Sequence, residues 1–307
     1  MTAIFKECSY MKNRYPAFRS ILRRMSAVLL AAVLSAAGSG MTVQAYAQEY
    51  ISRSWMDTSV TFEQYAAVVN VLRANAGQDT GGQNSIMFDT GVTADSADDG
   101  FQLCYDIRSL FPGRDDFAVC YNEQGLSAMT AEIIESSEHG LGVRFHAVGE
   151  TQGTPTLFAG WLPGSDPAEC LRQHDAALAV LQQVAANAPA DDAEAYRYFF
   201  DWLCANVTFD DEYRTTSHSV YSAVVEGCSV CEGYARAFEV LCWMTGRYCR
   251  NVTVQGEGQY GTHERNLVIL NGEPKWVDVT WGDQPGGPNY GYLLYDVDYF
   301  WRQQLGL

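Results

Sequence analysis

The sequence lacks the ligands that would complete a zinc site. It has one C-x-x-C, at Cys228 and Cys231, but no second such pair and no His-x-His. A structural zinc site needs four closely arranged ligands, so zinc is disfavoured. A glycine-rich phosphate loop and an internal repeat are also missing. No metal or organic cofactor is implied. Positive charge is scarce, with 20 Lys+Arg against 37 Asp+Glu and a net charge of −17. A surface of that sign repels phosphate backbones, which argues against nucleic acid as a partner. Long apolar runs are missing too. The most hydrophobic stretch, Met25 to Met41, is diluted by Gly and Ser and falls short of the roughly 20 residues of a spanning helix.

That stretch fits another use. Lys6, Lys12, Arg14, Arg19, Arg23 and Arg24 precede it, and the small-x-small triplet Ala45-Tyr46-Ala47 follows. A basic lead, an apolar core and a cleavage triplet make a secretory signal peptide over residues 1–47. An uncleaved amino-terminal anchor is the alternative. Removing six basic residues and one acidic residue leaves 14 against 36, a net of −22. The expected location is secreted or at the cell surface, where cell-surface association is open to it. Eight of the nine cysteines remain. In an oxidising compartment most should be disulfides or buried thiols, and their connectivity is not readable from spacing. Apolar residues make up 47% of the chain, enough for a substantial core.

Residues 48–165 read as an amino-terminal region of mixed α/β type without recognisable chemistry. Val60 to Ala76 has near-helical apolar spacing. Gly- and Asp-rich loops follow, then strand-like runs at Phe101–Ile107, Phe117–Tyr121 and Leu141–Val148. The texture changes near residue 166. Ser165 or Asp166 can cap a helix with Pro167 in its first turn, and a second helix covers DAEAYRYFFDWLCANV. Residues 166–307 therefore form a second unit.

Within that unit, Cys231, Tyr234, Ala235, Phe238, Leu241 and Cys242 make one apolar stripe of a helix from about Cys231 to Thr245, stopped by Gly246. Cys231 thus sits in the first turn and Cys228 in the loop before it. Orphan amides and the positive end of the dipole favour a thiolate at such a position. A redox pair would want a parallel βαβ context, which SVYSAVVEG does not clearly supply. Cys228 could mask Cys231 as a disulfide, or pair elsewhere, for example with Cys249.

A nucleophilic cysteine needs a base and a group that holds the base. The candidates are His139, His146, His174, His218 and His263. His263 opens the run HERNLVIL-NG-EPKWVDVTW, where Asn271-Gly272 signals a type I′ hairpin. A two-residue loop pairs Leu270 with Glu273, so Arg265 faces Asp278 and His263 is its diagonal neighbour on the same face, about 7–8 Å away between Cα atoms. Either His263 takes the Asp278 carboxylate or Arg265 does.

Cys231, His263 and Asp278, with the blocks YSAVVEGCSVCEGYARAF, HERN, KWVDVTWGD and YFFDWLCANVTFDDEY, resemble the transglutaminase-like (transglutaminase/protease) superfamily, in an exported bacterial-type member. The resemblance covers residues 166–300. It implies an α+β, papain-like transglutaminase-core fold, with the nucleophile helix packed on an antiparallel sheet. It also implies Cys231 as nucleophile, His263 as base and Asp278 as orienter in acyl transfer on protein or peptide amides. One departure is Arg265, where the family usually has an aromatic residue lining the cleft. Hydrolysis is favoured. A protein-crosslinking transglutaminase and a non-catalytic binding module that keeps the fold are the alternatives.

Overall fold

The computed structural model describes residues 60–77, 84–111, 116–136, 140–151, 153–214, 216–255 and 262–305. The expected signal peptide, His139 and part of the first glycine-rich loop lie outside the described residues.

The first element among the described residues is α1 (Phe62–Ala74), started by a capping box between Thr61 and Gln64. Strand β1 (Asn84–Thr93) leads to α2 (Ala97–Leu110), then β2 (Phe117–Asn122), β3 (Leu126–Ser136), β4 (Gly140–Thr151) and β5 (Thr156–Trp161). These five strands form one antiparallel sheet in the order β2-β5-β1-β3-β4. The expected helix at 60–76 and the strands at 117–121 and 141–148 are all present.

Phe101–Ile107, expected as a strand, is instead the middle of α2. Its alternating apolar residues suggested period two, but Leu103, Cys104, Ile107 and Phe111 are the apolar side chains shown to be buried, and that spacing is helical. The decisive signal lies just upstream, in a segment read as a loop. Ser96 accepts a hydrogen bond from the Asp99 amide and so starts the helix.

After a turn come α3 (Pro167–Ala185) and α4 (Asp192–Asn206), whose caps are Asp166 and Asp191. The two-residue strands β6 (Thr208–Phe209) and β7 (Cys228–Ser229) pair in parallel and bracket the short α5 (Val220–Val224). Helix α6 (Cys231–Met244) then packs on a second antiparallel sheet. That sheet has the order β11-β10-β9-β8, from β8 (Cys249–Gln255), β9 (Thr262–Leu270), β10 (Glu273–Val277) and β11 (Leu293–Asp296). Between β10 and β11 lies one turn of helix, α7 (Val279–Gly282), and α8 (Tyr299–Leu305) follows β11. The architecture is α+β, as the sequence implied.

The hairpin register is the expected one. Leu270 pairs with Glu273 and Asn266 with Val277, and Asn271 and Gly272 both have positive φ, 55° and 80°, as a type I′ turn requires. The strand ends one residue earlier than expected. Asp278 leaves the ladder and becomes the N-cap of α7.

One apolar cluster runs through both parts of the chain. It takes Val68 and Leu72 from α1, Ile107 and Phe111 from α2, Trp161 from β5, Leu181 from α3, Phe199 and Phe200 from α4, and Phe238 and Leu241 from α6. The two parts are also pinned by polar groups. Trp161 Nε1 donates to the Leu72 carbonyl at 2.7 Å, and Arg250 of β8 reaches Asp106 of α2 at 2.7 Å with both side chains buried.

Breaking a buried pair from one side leaves a charge without that carboxylate. Asp106→Ala should therefore lower unfolding free energy by about 3 kcal/mol. The double change Asp106→Leu with Arg250→Met should recover most of that loss. Urea denaturation of the two variants and the parent checks this, and a single variant within about 0.5 kcal/mol of the parent would contradict it.

Candidate active site

Helix α6 starts where three backbone segments converge. Gly227, with φ of 68°, turns the chain into β7. The Ser217 carbonyl then accepts hydrogen bonds from the Val230 amide at 2.9 Å and the Ser229 hydroxyl at 2.7 Å. These bonds fix the residue before Cys231. Val230, the N-cap, has no side chain able to accept a hydrogen bond. Thr61, Ser96, Asp166, Asp191, Ser219 and Asp278 cap their helices with side-chain oxygens. The first amides of α6 are thus left without a side-chain acceptor, directly behind the half-buried Cys231.

Gly233, two residues on, allows this approach. A Cβ there would stand 2.8 Å from the Ser219 carbonyl oxygen and would also meet Ser229 Oγ.

The sheet brings the other two residues to the same place. His263 and Asp278 are buried, at 4% and 0% exposure, and Nε2 of His263 lies 2.6 Å from Oδ2 of Asp278. The second carboxylate oxygen, Oδ1, accepts from the Trp281 amide at 3.0 Å. Asp278's own amide donates to the Tyr292 carbonyl at 2.9 Å. The Cys231 side chain adds to the pull of Asp278 on the imidazole proton. With Nε2 committed to Asp278, Nδ1 is the nitrogen left for the thiol. Burial works against a charged ring, but Asp278 and Cys231 outweigh it and push the His263 pKa up to about 10.

Arg265 does not take the carboxylate. Its guanidinium lies 4.2 Å from the Trp276 ring centre and 5.4 Å from that of Trp301, and Nη1 donates to the Tyr295 hydroxyl at 3.1 Å. It is 5% exposed. The position where the resemblance would place an aromatic in the cleft is here a cation held among aromatics.

Three neighbours were not singled out from the sequence. The Trp281 ring lies parallel to that of His263, 4.5 Å between centres at 11°, and shields the imidazole; it stands three residues past Asp278 in the quoted DVTWGD block. Asn266, in HERN, donates from Nδ2 to the Ala235 carbonyl at 2.9 Å and ties β9 to α6. Glu232, beside the nucleophile candidate, is buried between Arg236 at 2.6 Å and His218 at 3.0 Å. Of the remaining histidines, His146 pairs with Glu132, and His174 stacks on Phe111. Cys228 contacts Arg214 Nη2 at 3.1 Å. None of the eight described cysteines forms a disulfide, and five of them are buried. Among the described residues no group of three or more His, Cys, Asp or Glu is arranged to hold a metal ion, and no helix is long and apolar enough to cross a membrane.

Residues 179–296, which contain Cys231, His263, Asp278 and Trp281, match the transglutaminase-like superfamily. That segment is a transglutaminase-like core. Among solved structures, one described as a TGase shares 12% identity and covers 41% of this chain and 41% of its own, with a TM-score of 0.31. A structure described as a candidate cysteine protease from Cytophaga hutchinsonii shares 10% identity over 64% of this chain and 71% of that one, with a TM-score of 0.29. A candidate protease from Parabacteroides distasonis shares 12% over 54% and 38%, with a TM-score of 0.24. This chain spans less than half the length of the first and third of these. No curated protein sequence matches it.

Two outcomes follow for the transglutaminase-like core. Gly→Ala inside a helix ordinarily helps stability, yet Gly233→Ala should destabilise, by about 1–3 kcal/mol, because the Ser219 carbonyl blocks the methyl. Thermal melting checks the sign. His263 is protonated more readily folded than unfolded, so its contribution is full below the unfolded value of about 6.5 and is lost as pH rises through about 10. The stability margin of the parent over His263→Gln should shrink across that window. A margin that grew with pH would contradict the assignment.

Proposed function

We propose that the protein is an exported, cysteine-dependent acyl-transfer enzyme that cleaves amide bonds of proteins or peptides through Cys231, His263 and Asp278. The observation that carries this reading is the imidazole held at 2.6 Å by a fully buried carboxylate, with Cys231 at the uncapped start of α6 acting on the same ring. The match to the transglutaminase-like superfamily supports it at the level of cysteine-dependent protease or acyltransferase chemistry.

The derived sequence of events is short. His263 holds the proton taken from Cys231, and the thiolate attacks the amide carbonyl carbon. The developing oxyanion is met by the free Cys231 amide of α6. Imidazolium gives its proton to the departing amine, leaving a thioester on Cys231. His263 then takes a proton from water, hydroxide displaces the thiolate, and the acid leaves. Asp278 keeps the ring oriented with Nε2–H donating to it. Trp281 keeps water off the same bond, which strengthens it in a low-dielectric setting. Hydrolysis is our reading, because nothing beyond water is needed to resolve the thioester. A primary amine in its place would give crosslinking. Export puts proteins and peptides outside the cell or at its surface within reach, and the acidic chain is not suited to nucleic acid.

The test uses mature protein with dye-labelled casein and a glutamine-containing peptide, each with and without a primary amine. Cys231→Ala should abolish turnover. His263→Ala should cost about 10³–10⁴-fold and Asp278→Ala about 10²-fold. Parent activity should fall as pH rises through about 10, where His263 loses its proton. Full turnover by Cys231→Ala would overturn the proposal. Amine incorporation outpacing hydrolysis would move the reading to crosslinking. Absence of turnover, together with iodoacetamide labelling of Cys231 that is indifferent to His263, would leave a binding module.

A further inference from the structure

A buried carboxylate that the proposed reaction leaves unused stands just after β6. Asp210 is 4% exposed, and its bonds reach the segment leading into Cys231 from two directions. Its amide donates to the Ser229 carbonyl at 3.0 Å, one residue beyond the β6–β7 pairing. Its carboxylate folds the following turn back on itself. Oδ1 accepts from the Glu212 amide at 3.2 Å, and Oδ2 accepts from the Arg214 amide at 3.1 Å and Arg214 Nε at 3.0 Å. Oδ2 also accepts from the Ser217 hydroxyl. Ser217, itself buried, is thereby fixed where its carbonyl takes the Val230 amide and the Ser229 hydroxyl. Both routes from Asp210 end on the two residues before Cys231. The turn also holds Tyr213 at a φ of 52°, a backbone that non-glycine residues rarely adopt and that persists only where surrounding bonds over-determine it.

We propose that Asp210 is a positioning residue for Cys231. Through Ser217 and Ser229 it sets where the first turn of α6 begins, and with it the place of the nucleophile and of its amide. The inference rests on the proposed reaction of Cys231 and adds a residue that touches neither substrate nor reacting atoms. A carboxylate suits the task, because its bonds are charge-assisted and shorter than neutral ones, and because both its oxygens accept. An asparagine has one accepting oxygen and cannot serve all these donors at once. Misplacing a nucleophile by about 1 Å can cost about 10²-fold in rate. The loss should fall on the chemical step and spare substrate binding.

The test compares Asp210→Ala, Asp210→Asn and Ser217→Ala with the parent in the purified full chain. One readout is kcat and KM on casein and the glutamine peptide. The other is iodoacetamide labelling of Cys231, followed by peptide mapping, with and without His263→Ala. Asp210→Ala should lower kcat by about 10–100-fold with KM within about threefold. Asp210→Asn and Ser217→Ala should fall between it and the parent, since each keeps part of the hydrogen-bond set. His263→Ala should change Cys231 labelling about tenfold in the parent and less than about twofold beside Asp210→Ala, because coupling needs the two side chains in place. Asp106→Ala controls for lost stability alone and should keep the parental kcat well below its melting temperature. Parental kcat and undiminished coupling in Asp210→Ala would overturn the inference and leave the proposed function standing. An equal loss of kcat in Asp106→Ala would overturn it as well. A parent without turnover, whose Cys231 labelling ignores His263, would overturn both. Should Asp210→Ala fail to fold, Asp210→Asn and Ser217→Ala decide on the same readouts.

Discussion

A carboxylate buried to the last atom needs a partner for each of its oxygens, and Asp278 meets that demand with two jobs on two oxygens. One oxygen holds the His263 ring at 2.6 Å; the other caps the turn that carries Trp281. Taking such a charge out of water is costly without partners. The surroundings are therefore built to supply them, and in doing so they define the site. The strand must end at Val277 for the cap to form. The cap sets Trp281 against the imidazole. The imidazole, raised in basicity by its partners, has its other nitrogen for Cys231.

Much of this was legible in the sequence because hairpins obey simple arithmetic. Asn271-Gly272 fixed the turn, the turn fixed the register, and the register placed His263 and Asp278 on one face. What register alone could not decide was which of His263 and Arg265 would own the carboxylate. Strand counting treats Asp278 as a strand residue, whereas its capping bond takes it out of the ladder and away from Arg265. The competition is settled by aromatic residues distant in sequence, Trp276, Tyr295 and Trp301, which take the guanidinium. The misread helix α2 has a similar cause: a local alternation looked like period two, and the serine cap that overrides it stood in a segment that looked like a loop.

Helix α6 has two characters, of which the apolar stripe showed only one. Glu232, Arg236 and Glu239 recur at helical spacing on another face and are all buried. They engage His218, Glu264 and the Asn251 amide. Burial and the nearby Asp106 charge, against Arg250, the Asn251 amide and Arg236, push the Glu239 pKa up to about 8. Charges at helical spacing usually mark a solvated face. Only the presence of β8, β9 and α2 against this one makes it an interior, and that is long-range information.

The aromatic packing of α3 bears on how such a chain can be inherited. His174 lies against Phe111 and Tyr65, contributed by α2 and α1, although all three sit outside the segment shared with the superfamily. The recognisable module is therefore smaller than the cooperative unit that surrounds it. Transplanting residues 179–296 alone would move Cys231, His263 and Asp278 and leave behind part of the scaffold against which α6 is packed. Recombination that respects the structure would cut before α1, so the amino-terminal part and the core travel as a single heritable piece.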